Sequence, residues 1–340
     1  MSAAEPNIDV LENRLQRVAP QLLALLLIDQ TKSYRSKQGT HNIFWATSDY
    51  AELGPKFEYH EPIPPELITG KYGTVIRPRV LKAKDAQNQR SRTMAEVYTP
   101  AWICNEQNNL VDQAWFGRPD VFNQVAGQTN WHTNHTPIEF PPNKSWQDYV
   151  QALRLEITCG EAPYLVSRYD MTTGDFIPVP ERIGLLDRKL RVITENTHRP
   201  EDWLHWAKVA YTSVYGYEWQ GDSLLLAREN LLFTLGEHYE ARWGERPPLE
   251  VIMEIATIIS WNLWQMDALK GVIPNSCHEE IQYNNTLFGL ETTTIQCDGC
   301  HEDELLNSHH NGTYCLVKDW TQIDKRSGKP GKVLRFVDLF

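Results

Sequence analysis

Two short stretches carry residue types that could grip a nucleotide-like ligand. Residues 155–165 read LEITCGEAPYL, and VYGYEWQGDSLLLARENL begins at Val214. The first reads as an apolar strand running into a Gly-containing turn. The second reads as a strand ending on Glu218 and followed by a helical run. Two such units side by side build a crevice at the carboxyl ends of parallel strands, where nucleotides bind. Gly160 lets the backbone approach a ligand closely, because it has no Cβ. Glu218, at a strand end, is placed to accept both hydroxyls of a ribose. The plainer alternative is that these acids only cap strands and meet surface lysines.

The tail offers a different chemistry. Cys297-Asp-Gly-Cys300 is a tight pair, with Cys277 upstream and Cys315 downstream, and with His278, His301, His309 and His310 nearby. Thiolates from Cys277, Cys297, Cys300 and Cys315 could close a tetrahedral zinc site. Only one Cys-x-x-Cys pair is present, so free or partly buried thiols remain the alternative. A zinc ion here would staple a tail that has little core of its own, with no part in catalysis. Cys104 and Cys159 read as core residues, and Cys159 is given no nucleophilic role.

These residues need a frame of ordinary size. The chain has 340 residues, 41% hydrophobic and 23% charged, enough for one large domain or two smaller ones. Residues 9–30 show helical periodicity interrupted by Pro20. A helix is expected over 101–113, with Thr99 as cap and Pro100 as first helical residue. Residues 117–145 read as a long loop, and 146–153 as a helix. The α/β core follows. It has a strand at 153–158, a turn and helix at 161–169, and a turn-like basic insertion. A helix at 201–212, a strand from Val214 to Glu218 and a helix from Ser223 to Tyr239 come next. The β-branched, aromatic run from Ile255 to Trp264 reads as a third strand. The expected organisation is 1–95, a helical and mixed region; 96–274, the cofactor-binding core; and 275–340, the Cys/His tail.

Composition narrows the partners. The net charge is −11, which argues against free-standing affinity for nucleic acid. The segment from Lys71 to Arg92 runs the other way, rich in Lys and Arg with Asp85 alone in opposition. It reads as a solvated face or as a strip for phosphates. Twelve tryptophans point to large cores or a partner surface. No apolar run is long enough to span a membrane, and the first 20 residues do not read as a signal peptide. A cytoplasmic location is therefore expected.

Beyond this reading, residues 94–270 resemble the adenine-N6 DNA methyltransferases of restriction–modification systems. The resemblance starts at AEVYTPAWIC, whose Tyr98, Thr99 and Pro100 match an aromatic-Thr-Pro triplet followed by a helix. Glu156, Gly160, Ala162, Tyr164 and Leu165 match the next motif, with Ile157 in place of a proline and Ala162 in place of a second glycine. LLLARENL matches a Leu-Ala-Arg-x-Asn-Leu helix, and NLWQMDAL supplies Asp267. The resemblance implies a Rossmann-like S-adenosylmethionine-dependent fold. In it Tyr98, Thr99 and Pro100 lie beside the methionine end, Glu156 accepts from the cofactor's amino group, and Asp267 accepts from its adenine. At Ala162 the expected cost is small if φ is negative, with a narrower crevice.

One motif of that family is missing. Its catalytic Asn/Asp-Pro-Pro-Tyr/Phe tetrapeptide holds the flipped base. Here Phe140-Pro141-Pro142-Asn143 has the wrong order, and Arg246-Pro247-Pro248-Leu249 lacks both acceptor and aromatic. VKDW and VLRFVDLF look like the lead-in to it, at the tail. The sheet is therefore expected to be incomplete, and catalytic residues stay unassigned. The leading expectation is a methyl-donor-binding subunit that reaches DNA with or through a second protein subunit. The alternative is an inactive interaction protein of the same fold.

Overall fold

The computed structural model describes residues 8–9, 12–82, 87, 90, 99–286, 289–301, 306–325 and 327–340. It is a mixed α/β chain with many helices and small sheets. No helix among the described residues is long and apolar enough to cross a membrane. Helices α1 (Glu12–Val18) and α2 (Pro20–Leu27) divide at Pro20, which opens α2 at a position where no amide hydrogen is needed. Helix α3 (Gln30–Arg35) starts on Asp29, whose carboxylate accepts the Lys32 N–H at 3.0 Å.

Helix α4 (Ala101–Phe116) begins where Thr99-Pro100 signals it. Pro100, however, occupies the cap position, and the Ala101 N–H is accepted instead by the Asp170 carboxylate at 2.8 Å. The stretch expected as a loop contains a hairpin, β1 (Asn123–Ala126) with β2 (Asn130–Thr133). Each strand is only four residues long and mostly polar, and neither has a buried face, so the apolar alternation that betrays a strand is too short to read. Helix α5 (Trp146–Gln151) is fixed by a capping box, in which Ser145 and Asp148 each bond the other's backbone N–H.

The core that follows holds β3 (Arg154–Glu156), α6 (Leu185–Asn196), α7 (Pro200–Tyr211), β4 (Val214–Glu218), α8 (Gly221–Trp243), α9 (Leu249–Asn262) and β5 (Leu263–Gln265). The strands are parallel in the order β3-β4-β5, with Arg154 opposite Val214 and Gly216 opposite Leu263. Two expectations are corrected here. No helix spans 161–169; Ala162 has φ +64° and Pro163 follows it, so the chain makes turns, and the crossover helix is α6. Nor are residues 255–262 a strand. Ile255, Ile258 and Ile259 recur at helical spacing on the buried face of α9, and only Leu263–Gln265 is extended.

Alternation along the strands divides the sheet into two faces. Val214 and Leu263 join a large core that draws residues from Leu22 to Leu263. Tyr217 and Trp264 point the other way, into a smaller core with Phe44, Cys315, Val317 and Phe336. The tail builds that second layer. It comprises β6 (Glu280–Thr286) with β7 (Gly289–Ile295), the short α10 (Asp298–His301), and β8 (Leu316–Ile323) with β9 (Pro330–Arg335). β3 ends the sheet, and Leu153, Leu155 and Ile157 along it are 64%, 43% and 63% exposed. Trp45, Trp203, Trp261 and Trp264 are buried, and the other tryptophans are half-buried.

Candidate functional site

The turn after β3 is the most strained backbone among the described residues. Thr158, Gly160 and Ala162 have φ of +46°, +53° and +64°. Only glycine adopts such values at little cost, and a β-branched residue there is an outlier held by its surroundings. Ala162 therefore does not have the negative φ under which it would cost little. Its methyl group is fully buried in the main core, so it does not narrow a crevice either.

Two carboxylates hold this turn. Glu218 accepts the Gly160 N–H at 2.8 Å through Oε2 and the Gln220 N–H at 3.2 Å through Oε1. Glu156 accepts the Tyr164 N–H at 3.2 Å and the Leu165 N–H at 3.0 Å. Burial pushes the Glu156 carboxyl up to about 8; the two N–H groups oppose the shift and the Glu218 charge adds to it. Burial raises Glu218 as well, against the N–H groups of Gly160, Gln220 and Trp219. Both acids thus lie at the carboxyl ends of adjacent parallel strands, and both organise the loop between them. A cation placed beside them would relieve their mutual repulsion.

The neighbouring residues act through packing. Asn230 of α8 donates to the Glu161 carbonyl at 3.0 Å and to the Tyr169 hydroxyl at 3.3 Å. Arg228, fully buried, donates to the carbonyls of Leu26, Ile28, Ser260 and Leu263. Gln265, at the end of β5, donates to the Phe44 and Trp219 carbonyls and accepts the Phe44 N–H. Asp267 follows β5; its Oδ1 accepts the Leu269 N–H at 3.0 Å, and Lys270 stands 4.0 Å from its Oδ2. Thr99 offers its carbonyl to the Cys104 thiol, and Tyr98 lies outside the described residues. Burial drives the Cys159 thiol well up, with Glu156 and Glu218 adding to it, so it is no nucleophile.

The basic strip is partly consumed inside the fold. Arg90 and Lys82 meet the buried Asp222 at 2.9 and 3.3 Å, and Arg90 also meets Asp49 at 2.8 Å. Despite burial, these cations hold Asp222 well below the usual carboxylate range. Lys84 and Arg92 lie outside the described residues.

In the tail, Cys277, Cys297, Cys300 and His310 bring one ligand atom each to within 4.8 Å of the others. This cluster could hold a metal ion. His310 takes the fourth place expected of Cys315. The Cys315 thiol instead donates to the Gln265 carbonyl at 3.3 Å, inside the smaller core. The sequence placed His310 in the neighbourhood, but nothing in its spacing separated it from His278, His301 and His309.

No family model matches this chain, and no curated protein or solved structure matches it significantly. What the site can do chemically therefore rests on its own residues. The loop after β3 and the ends of β4 and β5 gather three carboxyl groups, those of Glu156 and Glu218, which accept backbone N–H groups of the loop and of Gln220, and that of Asp267. Such a set suits a ligand that carries positive charge and hydroxyl or amino donors.

Proposed function

We propose that this chain is an S-adenosylmethionine-binding subunit of the adenine-N6 DNA methyltransferase type, with a Rossmann-like but incomplete sheet. The observation that carries the reading is the grip of Glu218 on Gly160 across the carboxyl ends of β4 and β3. That contact joins the acidic strand end to the Gly-containing turn, and it supports the reading because nucleotides bind at the carboxyl ends of adjacent parallel strands. Glu156 would meet the ligand's ammonium group, Glu218 its ribose hydroxyls and Asp267 its adenine, with Thr99 and Pro100 beside its methionine end. The bound cofactor would supply an electrophilic methyl group, and this chain would hold and orient it. The adenine amino group would attack in line, with no covalent enzyme intermediate. A metal in the Cys/His cluster would be structural.

A partner chain is part of the reading. The sequence lacks the tetrapeptide that would hold the target base. The exposed Leu153, Leu155 and Ile157 alternate along β3, on the face that the tail covers at β4 and β5. An apolar row at a sheet end is suited to continuation by another strand. DNA would be reached with or through that second subunit. Calorimetry and thermal shift with S-adenosylmethionine and S-adenosylhomocysteine test cofactor binding, and no response to either ligand sinks it.

The same exposed row and the missing tetrapeptide favour a second reading, an interaction protein of this fold that turns over nothing. DNA methylation by the chain alone would refute that reading and would reveal a catalytic group outside the known motif.

A further inference from the structure

Three separate stretches of the chain converge at the tail cluster. The first runs from Val272 to Cys277, and Ser276 N–H bonds the Ile273 carbonyl at 3.0 Å just before the first thiol. The second is the Cys297-Asp-Gly-Cys300 turn, closed by the Cys300 N–H on the Cys297 carbonyl at 2.9 Å. The third is His309–Tyr314, where Gly299 N–H bonds the His309 carbonyl and the Tyr314 hydroxyl accepts the His310 N–H. Asn311 N–H points at the Cys297 sulfur at 3.3 Å. An amide aimed at a sulfur favours its thiolate form, the form that binds metals.

The distances match tetrahedral ligation. His310 Nδ1 lies 3.7 Å from each of the sulfurs of Cys277, Cys297 and Cys300. Zinc bonds to sulfur and nitrogen at the tetrahedral angle place those atoms about 3.6 Å apart. Three soft thiolates and one imidazole, with no further ligand in the cluster among the described residues, form a donor set characteristic of structural zinc. The packing leaves little room for anything else. A Cβ at Gly299 would stand 2.7 Å from His310 Nδ1, and one at Gly312 would stand 3.0 Å from the Cys277 sulfur.

The cluster is also wired to the turn that carries Asp267. Asp267 and Val272 form a bridge, Val272 pairs in turn with Tyr314, and the Cys315 N–H bonds the Gly271 carbonyl at 3.0 Å. Leu306 N–H bonds the Leu269 carbonyl at 2.8 Å. Lys270 stands 4.0 Å from the Asp267 carboxylate. The apolar support is slight, a cluster of Val272, Tyr314 and Val337 with Cys277 and Leu306 against it.

We infer that Cys277, Cys297, Cys300 and His310 hold a structural zinc ion, and that this ion fixes the Asp267–Val272 turn beside β5. The ion supplements the slight apolar support around Val272, Tyr314 and Val337, since ligands brought together only in the folded state turn binding energy into folding energy. The zinc assignment rests on the donor geometry and is independent of the methyl-donor reading.

The test uses the full chain as purified. Metal analysis should find one zinc per chain, and cobalt exchange should give the intense visible bands of a tetrahedral thiolate site. Cys297→Ser and Gly299→Ala should lose the metal, whereas Cys315→Ala should keep it. His310→Cys should retain cobalt with its bands shifted to lower energy, which keeps the test decisive if His310→Ala fails to fold. Chelation should raise hydrogen exchange at the Gly271, Leu306 and Cys315 amides at least tenfold and leave α8 unchanged. A Cys297–Cys300 disulfide with no metal overturns the zinc site, as does metal that survives Cys297→Ser or departs with Cys315→Ala. Unchanged exchange at those amides after chelation overturns the role assigned to the ion.

Discussion

The side-chain amide of Asn230 donates to the carbonyl of Glu161 at 3.0 Å, which ties the middle of α8 to the strained turn after β3. Its oxygen accepts from Arg168 at 3.1 Å, so its amide and carbonyl ends are both engaged. The Ala-Arg-x-Asn-Leu segment thus acts as a clamp on the candidate crevice from behind. Asn230→Ala would leave the buried Glu161 carbonyl without this donor and the Arg168 guanidinium with Glu237 alone, at a cost of about 1–3 kcal/mol. Urea unfolding measures the loss, and a variant as stable as the parent would show that the turn holds itself.

Arg228 reaches four carbonyls from one buried guanidinium, joining α2, α9 and β5. Burial pushes it down to about 10, with Asp29 countering the shift. A lysine has one compact ammonium and cannot span those acceptors. Arg228→Lys should destabilise the protein by about 3 kcal/mol or more, as stranded buried polar groups do. A thermal midpoint unchanged from the parent would contradict this.

Glu156 sets a pH dependence with a definite sign. Its carboxyl is raised from 4.5 to about 8 in the folded chain. The folded state therefore holds that proton more tightly than the unfolded state does. Stability from this group is full below pH 4.5, falls as the pH climbs to about 8, and is level above that. The difference between the parent and Glu156→Gln, measured by denaturant unfolding at several pH values, should follow this course. Parallel profiles for the two proteins would refute it. Under the proposed function the affinity for S-adenosylmethionine should run the opposite way and fall below about pH 8, because binding a cation needs the carboxylate.

Glu229 is fully buried in α8, and neither of its carboxylate oxygens has a hydrogen-bond partner among the described residues. Burial drives its pKa well above the ordinary value, with the charges of Glu12 and Asp9 adding to the shift. Replacing such a group by an apolar side chain of similar size stabilises by about 1–4 kcal/mol in comparable cases. Glu229→Met should raise stability near pH 8, with a smaller gain near pH 5, because a group whose folded pKa is raised costs less stability as the pH falls. A variant less stable than the parent at pH 8 would reverse the conclusion.

The amino-acid sequence alone determined much of the local structure. The start of α4 at Thr99-Pro100, the long α8, the strand ending on Glu218 and the Cys297-Cys300 turn follow from caps, periodicity and short spacing, which are properties of neighbouring residues. Packing decided the rest. Residues 255–262 are helical because their apolar face meets the core, although β-branched residues favour strands. Ala162 takes a left-handed backbone because Glu156, Glu218 and Asn230 pin the turn around it. His310, not Cys315, joins the thiols, because ligands distant in sequence are chosen by where the folded chain brings their atoms.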